Sequence, residues 1–579
     1  MLLLNPKKHV RKYKNDADKQ IMLDTIEFFE SKGRGKLKKD DHERTWYADF
    51  LKFEKEKKIF AQLLTPAQYG ENENYRWDTH RNCEFNEILG FYGLCYWYTW
   101  QVSILGLGPI WISKNETVKK RTAQHLKDGG IFGFGLSEKE HGADIYSTEM
   151  LLVPQDDGTY LANGRKYYIG NGNEAALVST LGKIKKPGEV ETDKYKYFAF
   201  FVVGSKHGRY EVVKNVVNSQ SFVAEYALND YPIEEDDVLA KGRDAWDMAL
   251  NTVNIGKYNL GWGSIGICTH ALYEALDHAA HRNLYGKFVT DFTHVRQLFV
   301  DAYCRLVAMK AFALRTSDYI RTASEKDRRY LLFTPMVKMK VTTQGEEVIN
   351  NLWDVIAAKG FEKDMYFEMA ARDIRALPKL EGTVHVNMAL IIKFMRNYFF
   401  MPGKFPDIPL VDGVRSDDFL FNQGATKGLG NIQFHDYNIA YNSVDLPNVN
   451  VFKEQIKVLK EFLMASAADA EASKKQADDI DFLLILGELF TLVAYGQGII
   501  EFRNVNPGEI SDDLLDQIFD FMVRDFTKFA IQLYSKPQAT EKQMEICKKM
   551  VMKPVADAAR YGKIWEEVYS LKDTYAMND

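Results

Sequence analysis

The chain has 579 residues, too many for one core at about 100 to 200 residues per domain, so several domains are expected. With 46% hydrophobic and 27% charged residues, 39 Gly and 15 Pro, it is excluded from the collagen-like, disordered and membrane-bundle classes. Its 75 basic and 80 acidic residues leave a net charge of -5, too balanced to steer the whole protein toward nucleic acid or an anionic membrane. Cys83, Cys95, Cys268, Cys304 and Cys547 are scattered, odd in number and without a CxxC, which argues against a disulfide framework and a zinc site and for a reducing cytoplasm. The start, MLLLNPKKHVRKYK, places apolar residues before its charges, the reverse of a secretory signal.

From Asp16 to about Gly129 apolar residues recur at helical spacing, as in Ile21, Thr25, Phe28 and Phe29. Between about Ile131 and Ala240 the pattern turns to strands. GTYLANGRKYYIGNG (residues 158–172) reads as two alternating runs about Asn163-Gly164, a dipeptide suited to a two-residue hairpin turn. Tyr197 to Val203 and Arg209 to Val217 add two runs of β-branched and aromatic residues. Helical periodicity returns from Ala245, with long segments over Asn259 to Asn283, Val289 to Thr322 and Thr334 to Lys359, long enough for an antiparallel bundle. A turn-rich stretch from Pro402 to Asn450 precedes a last helical block, Val451 to Leu571. Within it, Phe482 to Ile500 is the most apolar stretch. It carries Glu488, Gln497 and three glycines and reads as a buried helix rather than a membrane crossing.

Two motifs point away from chemistry. Gly261, Gly263 and Gly266 spell GxGxxG, but no strand precedes them, so the segment reads as one helix whose small residues allow a close crossing. His278 and His281 lack a visible third ligand and read as a solvated helix face. No metal is expected.

Four segments in order resemble the acyl-CoA dehydrogenase family. Phe134 to Thr148, FGLSEKEHGADIYST, is similar to the TEPxAGSD loop. Asn163 to Gly172, NGRKYYIGNG, is similar to the NGxKxWITNG hairpin. His281 to Lys287, HRNLYGK, resembles ERxxFGK, and Gly360 to Thr383 resembles the C-terminal signature ending in Glu-Gly-Thr. The resemblance spans about Leu105 to Ile392. It implies a mainly α fold with an inserted β domain, in the acyl-CoA dehydrogenase arrangement of N-terminal helices, a central β-barrel-like domain and a C-terminal four-helix bundle, here with an extra helical domain. The expected boundaries are 1–130, 131–244, 245–440 and 441–579.

The resemblance also implies FAD as cofactor and α,β-dehydrogenation of an acyl-CoA thioester. The α-proton is too weakly acidic for a carboxylate in water, so the thioester oxygen must meet donors placed beforehand in a water-poor site. By resemblance Glu381 is the base that takes the α-proton. The β-hydride passes to flavin N5, chemistry that belongs to the cofactor. Leu136 and Ser137 would contact the flavin edge, and Tyr168 stands where the family's tryptophan covers the ring. Gly170 lies on the same hairpin. Arg282 would reach a neighbouring subunit's pyrophosphate, where a guanidinium fork suits two phosphate oxygens. Thr383 would contact the adenosine portion, and Gly382 and Ala143 the substrate. Arg372 and Asp373 are expected to form a structural ion pair.

Several residues depart from the pattern. Gly170 replaces a threonine whose hydroxyl bonds near flavin N5. Asp354, Ala357 and Ala358 stand in place of Gln and Gly-Gly, His385 replaces a glutamine, Ala143 a serine, and Thr293 a common glutamine. The implied partners are an acyl-CoA, an electron-transfer flavoprotein and a second copy in a homodimer. Membrane contact is not expected, since the stripe of Ile456, Leu459 and Leu463 is that of any amphipathic helix. An oxidase that reduces oxygen and a non-catalytic binding relative are the other readings. Acid-rich stretches in the last block would repel nucleic acid.

Overall fold

The computed structural model describes residues 2–8 and 13–579. The chain folds into two compact units. One comprises Arg11–Asn259, Gly413–Lys427 and Met577–Asp579; the other comprises Met1–Val10, Leu260–Asp412 and Gly428–Ala576. They are called below the β unit and the bundle unit.

The β unit opens with helices from Asp16–Lys32 to Glu116–Lys127. Leu94–Ile112 is apolar all round and buried on nearly every face, as expected of a helix enclosed by its neighbours. It crosses strand β1 (Phe132–Gly135) so closely that a Cβ on Gly106 would stand 2.6 Å from the Gly133 carbonyl oxygen. Glycine is the residue that permits that approach. β1 belongs to an eight-stranded sheet with β2 (Leu151–Pro154), β3 (Tyr160–Gly170), β4 (Leu177–Ile184), β5 (Phe198–Val203), β6 (Tyr210–Asn215), β7 (Val223–Ile233) and β8 (Val238–Lys241). The order is β6-β7-β3-β2-β4-β5-β8, with β1 parallel to β4. A core of Met150, Leu152, Val178, Phe201, Tyr226 and Leu228 lies within it.

The hairpin expected at Asn163-Gly164 is not there. Both residues lie inside β3, at a register shift against β7 between Ala162 and Gly164. The Asn163 carboxamide instead pairs across the ladder with Asp230, donating to its carboxylate at 3.0 Å and accepting its N–H at 2.9 Å. The chain reverses one turn earlier, where Gln155 N–H donates to the Thr159 carbonyl at 2.9 Å and Gly158 adopts φ +87°. Asn-Gly tolerance of positive φ thus serves a β-bulge here rather than a turn.

In the bundle unit, Asn259–His281 is one continuous helix, followed by Thr293–Arg321 and by Tyr330–Ile356, the last unbroken except for a π-helical turn at Val337–Val341. Small residues bring these helices together. A Cβ on Gly261 would meet Val337 Cγ1 at 2.5 Å, and one on Gly345 would meet Ser264 Oγ at 2.1 Å. The first glycine of the GxGxxG therefore sits at a helix crossing.

The helices from Pro447 onward fold within this same unit. Ile456, Leu459 and Leu463 are all buried. Buried ion pairs join the late helices to the bundle. Arg305 grips the Asp525 carboxylate with two bonds of 2.8 and 3.0 Å, and Arg315 Nε lies 3.0 Å from Glu501. Ile480–Val505 is long and apolar enough by composition to cross a membrane, contrary to the sequence expectation, but most of its apolar window is buried inside the protein. It packs on Thr293–Arg321 and Asp512–Tyr534.

Candidate active site

The expected site residues fall in two groups, one in each unit. In the β unit, β1 delivers the chain to Leu136 and Ser137. Ser137 is tied to β3 by two bonds: its hydroxyl donates to the Tyr167 carbonyl at 2.7 Å, and its own carbonyl accepts Tyr167 N–H at 3.0 Å. Leu136 N–H donates to the Phe134 carbonyl at 3.1 Å. Glu138 holds the loop in place. Its carboxylate accepts from the fully buried Lys166 ammonium at 2.7 Å, from Thr148, and from the Glu149 and Met150 N–H groups. Burial alone would raise the Glu138 pKa, but the Lys166 charge and hydrogen bond bring it below the usual glutamate value. Glu138, His141 and Glu149 place ligand atoms within 4.8 Å of one another, but the Lys166 ammonium occupies the acid at the centre of that group.

The register between β3 and β7 slips again between Lys166 and Ile169. Tyr168 sits in that bulge at φ +64°, with its ring 59% exposed and edge-on to Tyr167 at 4.7 Å. Bulges of this kind re-aim a side chain next to functional sites. Tyr168 thus presents an exposed aromatic ring next in the chain to Tyr167, which anchors Ser137.

Gly170 follows, and its departure has a packing cause. A Cβ there would stand 2.6 Å from Val102 Cγ1 and 2.8 Å from Tyr98 Cε1, both from helix Leu94–Ile112. The volume of a threonine is taken by Tyr98. Asn171, fully buried at φ +59°, staples the end of the strand to the same helix by donating to the Thr99 and Phe132 carbonyls, each at 3.0 Å. Ala143 is exposed in the loop after β1.

In the bundle unit, helix Tyr366–Asp373 ends in a run of turns that carries the chain to Glu381. Glu381 and Gly382 are consecutive left-handed residues, φ +53° and +88°. Thr383 then caps helix Val384–Ile391, its hydroxyl accepting Val386 N–H. The fully buried Lys338, on the π-helical turn, donates to the Pro378 carbonyl at 2.7 Å. Asn387 donates to the carbonyls of Gly382 at 3.1 Å and Thr383 at 2.9 Å. Glu381 is partly buried. A non-glycine residue in this conformation persists only when its surroundings over-determine it, and such residues cluster at functional sites.

Arg372 bonds Glu368 at 2.8 Å and lies 3.9 Å from Asp373, so its main partner is one helical turn back. Arg282 is exposed at the end of helix Asn259–His281 and enters a short hairpin of Asn283–Leu284 and Lys287–Phe288. Tyr285 and Gly286 form its turn at φ +53° and +77°, both positive as in a type I′ turn, and the Tyr285 ring is 97% exposed. Ala357 adopts φ +54°, ψ −134°, a conformation suited to glycine. The helical-face reading of the histidines holds in part. His281 is exposed and 3.4 Å from Asp573, while His278 Nε2 is buried without a hydrogen-bond partner.

Sequence reasoning missed Tyr98, Asn171, Lys338 and Asn387. Each acts through a contact with a segment distant in the chain or through the carbonyls of a loop, and neither leaves a local pattern.

The family "Acyl-CoA dehydrogenase, C-terminal domain" matches residues 244–395. The short-chain specific acyl-CoA dehydrogenase of Megasphaera elsdenii is 23% identical over 299 residues, 48% of this chain and 72% of its own. The butyryl-CoA dehydrogenase structure from the same organism superposes with a TM-score of 0.60 at 18% identity, covering 66% of this chain and 98% of that one. An acyl-CoA dehydrogenase of Bacillus anthracis, solved in complex with FAD, superposes with a TM-score of 0.73 at 17% identity, over 98% of this chain and 96% of its own. The late helices are thus part of a shared larger form. The chain has the acyl-CoA dehydrogenase fold with extra C-terminal helices, and its residues 244–395 match that family's C-terminal domain.

Proposed function

We propose that the protein is a flavoenzyme that oxidises the α,β bond of an acyl-CoA thioester, with Glu381 as the base. The observation that carries this reading is Glu381, partly buried in left-handed backbone beside Gly382 and just before the head of a helix, in the segment that matches the family. FAD, when bound, supplies the acceptor for the β-hydride. Tyr168 offers its face to the flavin ring and Ser137 its backbone and hydroxyl to the ring edge. Arg282, exposed and at the base of the Tyr285 hairpin, suits a pyrophosphate. Glu381 takes the α-proton with its carboxylate, and its backbone N–H helps hold the thioester oxygen as charge develops there. The electrons leave to an electron-transfer flavoprotein, and the enzyme works as a homodimer in the cytoplasm.

The test is anaerobic addition of a panel of saturated acyl-CoA thioesters to the FAD-loaded full chain, followed by flavin absorbance. Bleaching of the yellow oxidised band by at least one thioester is expected. FAD that is bound yet bleached by none would overturn the reading. Rapid recovery of the band on admitting oxygen would assign the oxidase reaction instead.

A further inference from the structure

After helix Met395–Phe400 the bundle unit runs through residues 401–412 without a helix or a strand. Backbone in that state needs partners for its polar groups, and buried side chains supply them. Arg315 donates to the Ile408 carbonyl and Arg321 to the Val411 carbonyl, each at 2.7 Å, and Asp318 accepts Val411 N–H at 2.9 Å. All three lie on helix Thr293–Arg321 and are at most 4% exposed. The earlier half of this strap is fastened differently. Gly403 N–H donates to the Phe434 carbonyl at 2.7 Å. Arg329, also buried, donates to the Pro406 carbonyl at 3.2 Å and lies 4.3 Å over the Phe405 ring.

His435 follows Phe434 and is bonded on both ring nitrogens. Nδ1 is 2.9 Å from Arg329 Nη1, and Nε2 is 2.9 Å from Glu501 Oε1. An arginine only donates, so Nδ1 carries the lone pair, Nε2 the proton, and the imidazole is neutral. Gln497, 2.9 Å from the same Nε2, turns its N–H to Glu501 at 2.7 Å. The charged groups around the ring are already matched. Glu501 also accepts from Arg315 at 3.0 Å and Tyr319 at 2.9 Å, and Asp327 takes two Arg329 bonds of 2.9 and 2.7 Å. A second proton on His435 would point Nδ1–H at the guanidinium 2.9 Å away. Attraction to Glu501 acts at Nε2 and leaves that clash in place. The guanidinium is a rigid fork, so turning Nη1 away from His435 draws Nη2 off Pro406. If the imidazole moves instead, Phe434 and its bond to Gly403 move with it. We propose that His435 is a pH-sensitive latch: on protonation it releases residues 403–406, while 408–411 stay fastened to helix Thr293–Arg321.

Histidine is the side chain that takes up a proton between about pH 8 and 5. Burial would raise the Glu501 pKa, but the His435 hydrogen bond and the Arg315 charge hold it at about 2, so it stays ionised over that interval. The experiment places a nitroxide on the full chain through Lys404→Cys or, separately, Leu410→Cys. Both positions are exposed, and all five native cysteines are buried. The mobile fraction of the spin-label spectrum at 404 is expected to rise about threefold or more between about pH 7.5 and 5.5, with the label at 410 unchanged. His435→Gln keeps an acceptor and a donor but takes up no proton there, and should abolish the response. No change at 404, equal mobilisation at 404 and 410, or a response that persists in His435→Gln would each overturn the proposal. Should His435→Gln not accumulate as folded protein, Arg329→Gln carries the test: the label at 404 should then be mobile at both pH values, and mobility that still follows pH overturns the latch.

Discussion

The Glu381 loop and the Tyr168 bulge place the two halves of the proposed chemistry, yet they have kept different things. The Glu381 loop carries the Glu-Gly-Thr letters of the motif it resembles, with Lys338 bonded to the preceding Pro378 carbonyl and Asn387 to the Gly382 and Thr383 carbonyls. The Tyr168 bulge has a positive-φ backbone and, through Tyr167, a tie to Ser137, while tyrosine and Gly170 stand where the motif it resembles has tryptophan and threonine. A proton-transfer carboxylate has no isostere that ionises, whereas a π face has several, and a hydroxyl can yield to a neighbour that fills its space. The difference teaches that the loop proposed to move a proton keeps the letters of the motif it resembles, while the bulge proposed to face the ring departs from them.

The sharpest way to break this comparison is Glu381→Gln, nearly isosteric and unable to take a proton. Turnover should fall about 10²- to 10⁴-fold with FAD still bound, measured by stopped-flow bleaching. A rate within threefold of wild type would remove Glu381 from the reaction.

Next in size are the ion pairs of the bundle unit. Glu501 is largely buried, its side chain 11% exposed. Burial would raise its pKa, but the His435 hydrogen bond and the Arg315 charge hold it down at about 2, against an ordinary 4.5. Its folded-state pKa is depressed, so its stabilisation, about 3 kcal/mol by linkage, is complete above pH 4.5 and lost as pH falls toward 2. Asp525, paired with Arg305, is likewise held at about 2 and adds in the same window. Urea denaturation from pH 6 to pH 2.5 should show this loss, and Glu501→Gln should flatten it while lowering stability at pH 7.

The bulge side is probed by Gly170→Thr. The added side chain meets Tyr98 and Val102, so a loss of about 1–3 kcal/mol from overpacking is expected. Tyr98→Ala in the same chain should recover part of it. Additive losses in this double-mutant cycle would refute the exchange of space between the two positions. The smallest effect is Ala357→Gly, which relieves the left-handed alanine and should raise stability by about 0.5–1 kcal/mol, read as a shift in urea midpoint.

Much of the fold was legible because long amphipathic helices and β-branched runs advertise their own periodicity. The segments Asn259 to Asn283 and Val289 to Thr322 are helices within a few residues, and Tyr197 to Val203 is a strand. Asn163-Gly164 misled because a dipeptide that tolerates positive φ serves a bulge as well as a turn, and only the cross-strand partner Asp230 decides which. Phe482 to Ile500 sits inside a helix whose apolarity equals that of a membrane span, and only burial among other helices tells the two apart.

What the amino-acid order determined alone is the alternation of helical and β regions, the four segments and the carboxylate at 381, since these depend on residues near one another in the chain. Tertiary structure alone decided why Gly170 must be glycine and what secures the run of turns that leads to Glu381. Each depends on an atom brought in from elsewhere, Tyr98 from a helix some 70 residues before Gly170 or Lys338 from a π-helical turn 40 residues before Pro378. Close packing fixes such contacts only once the chain has folded.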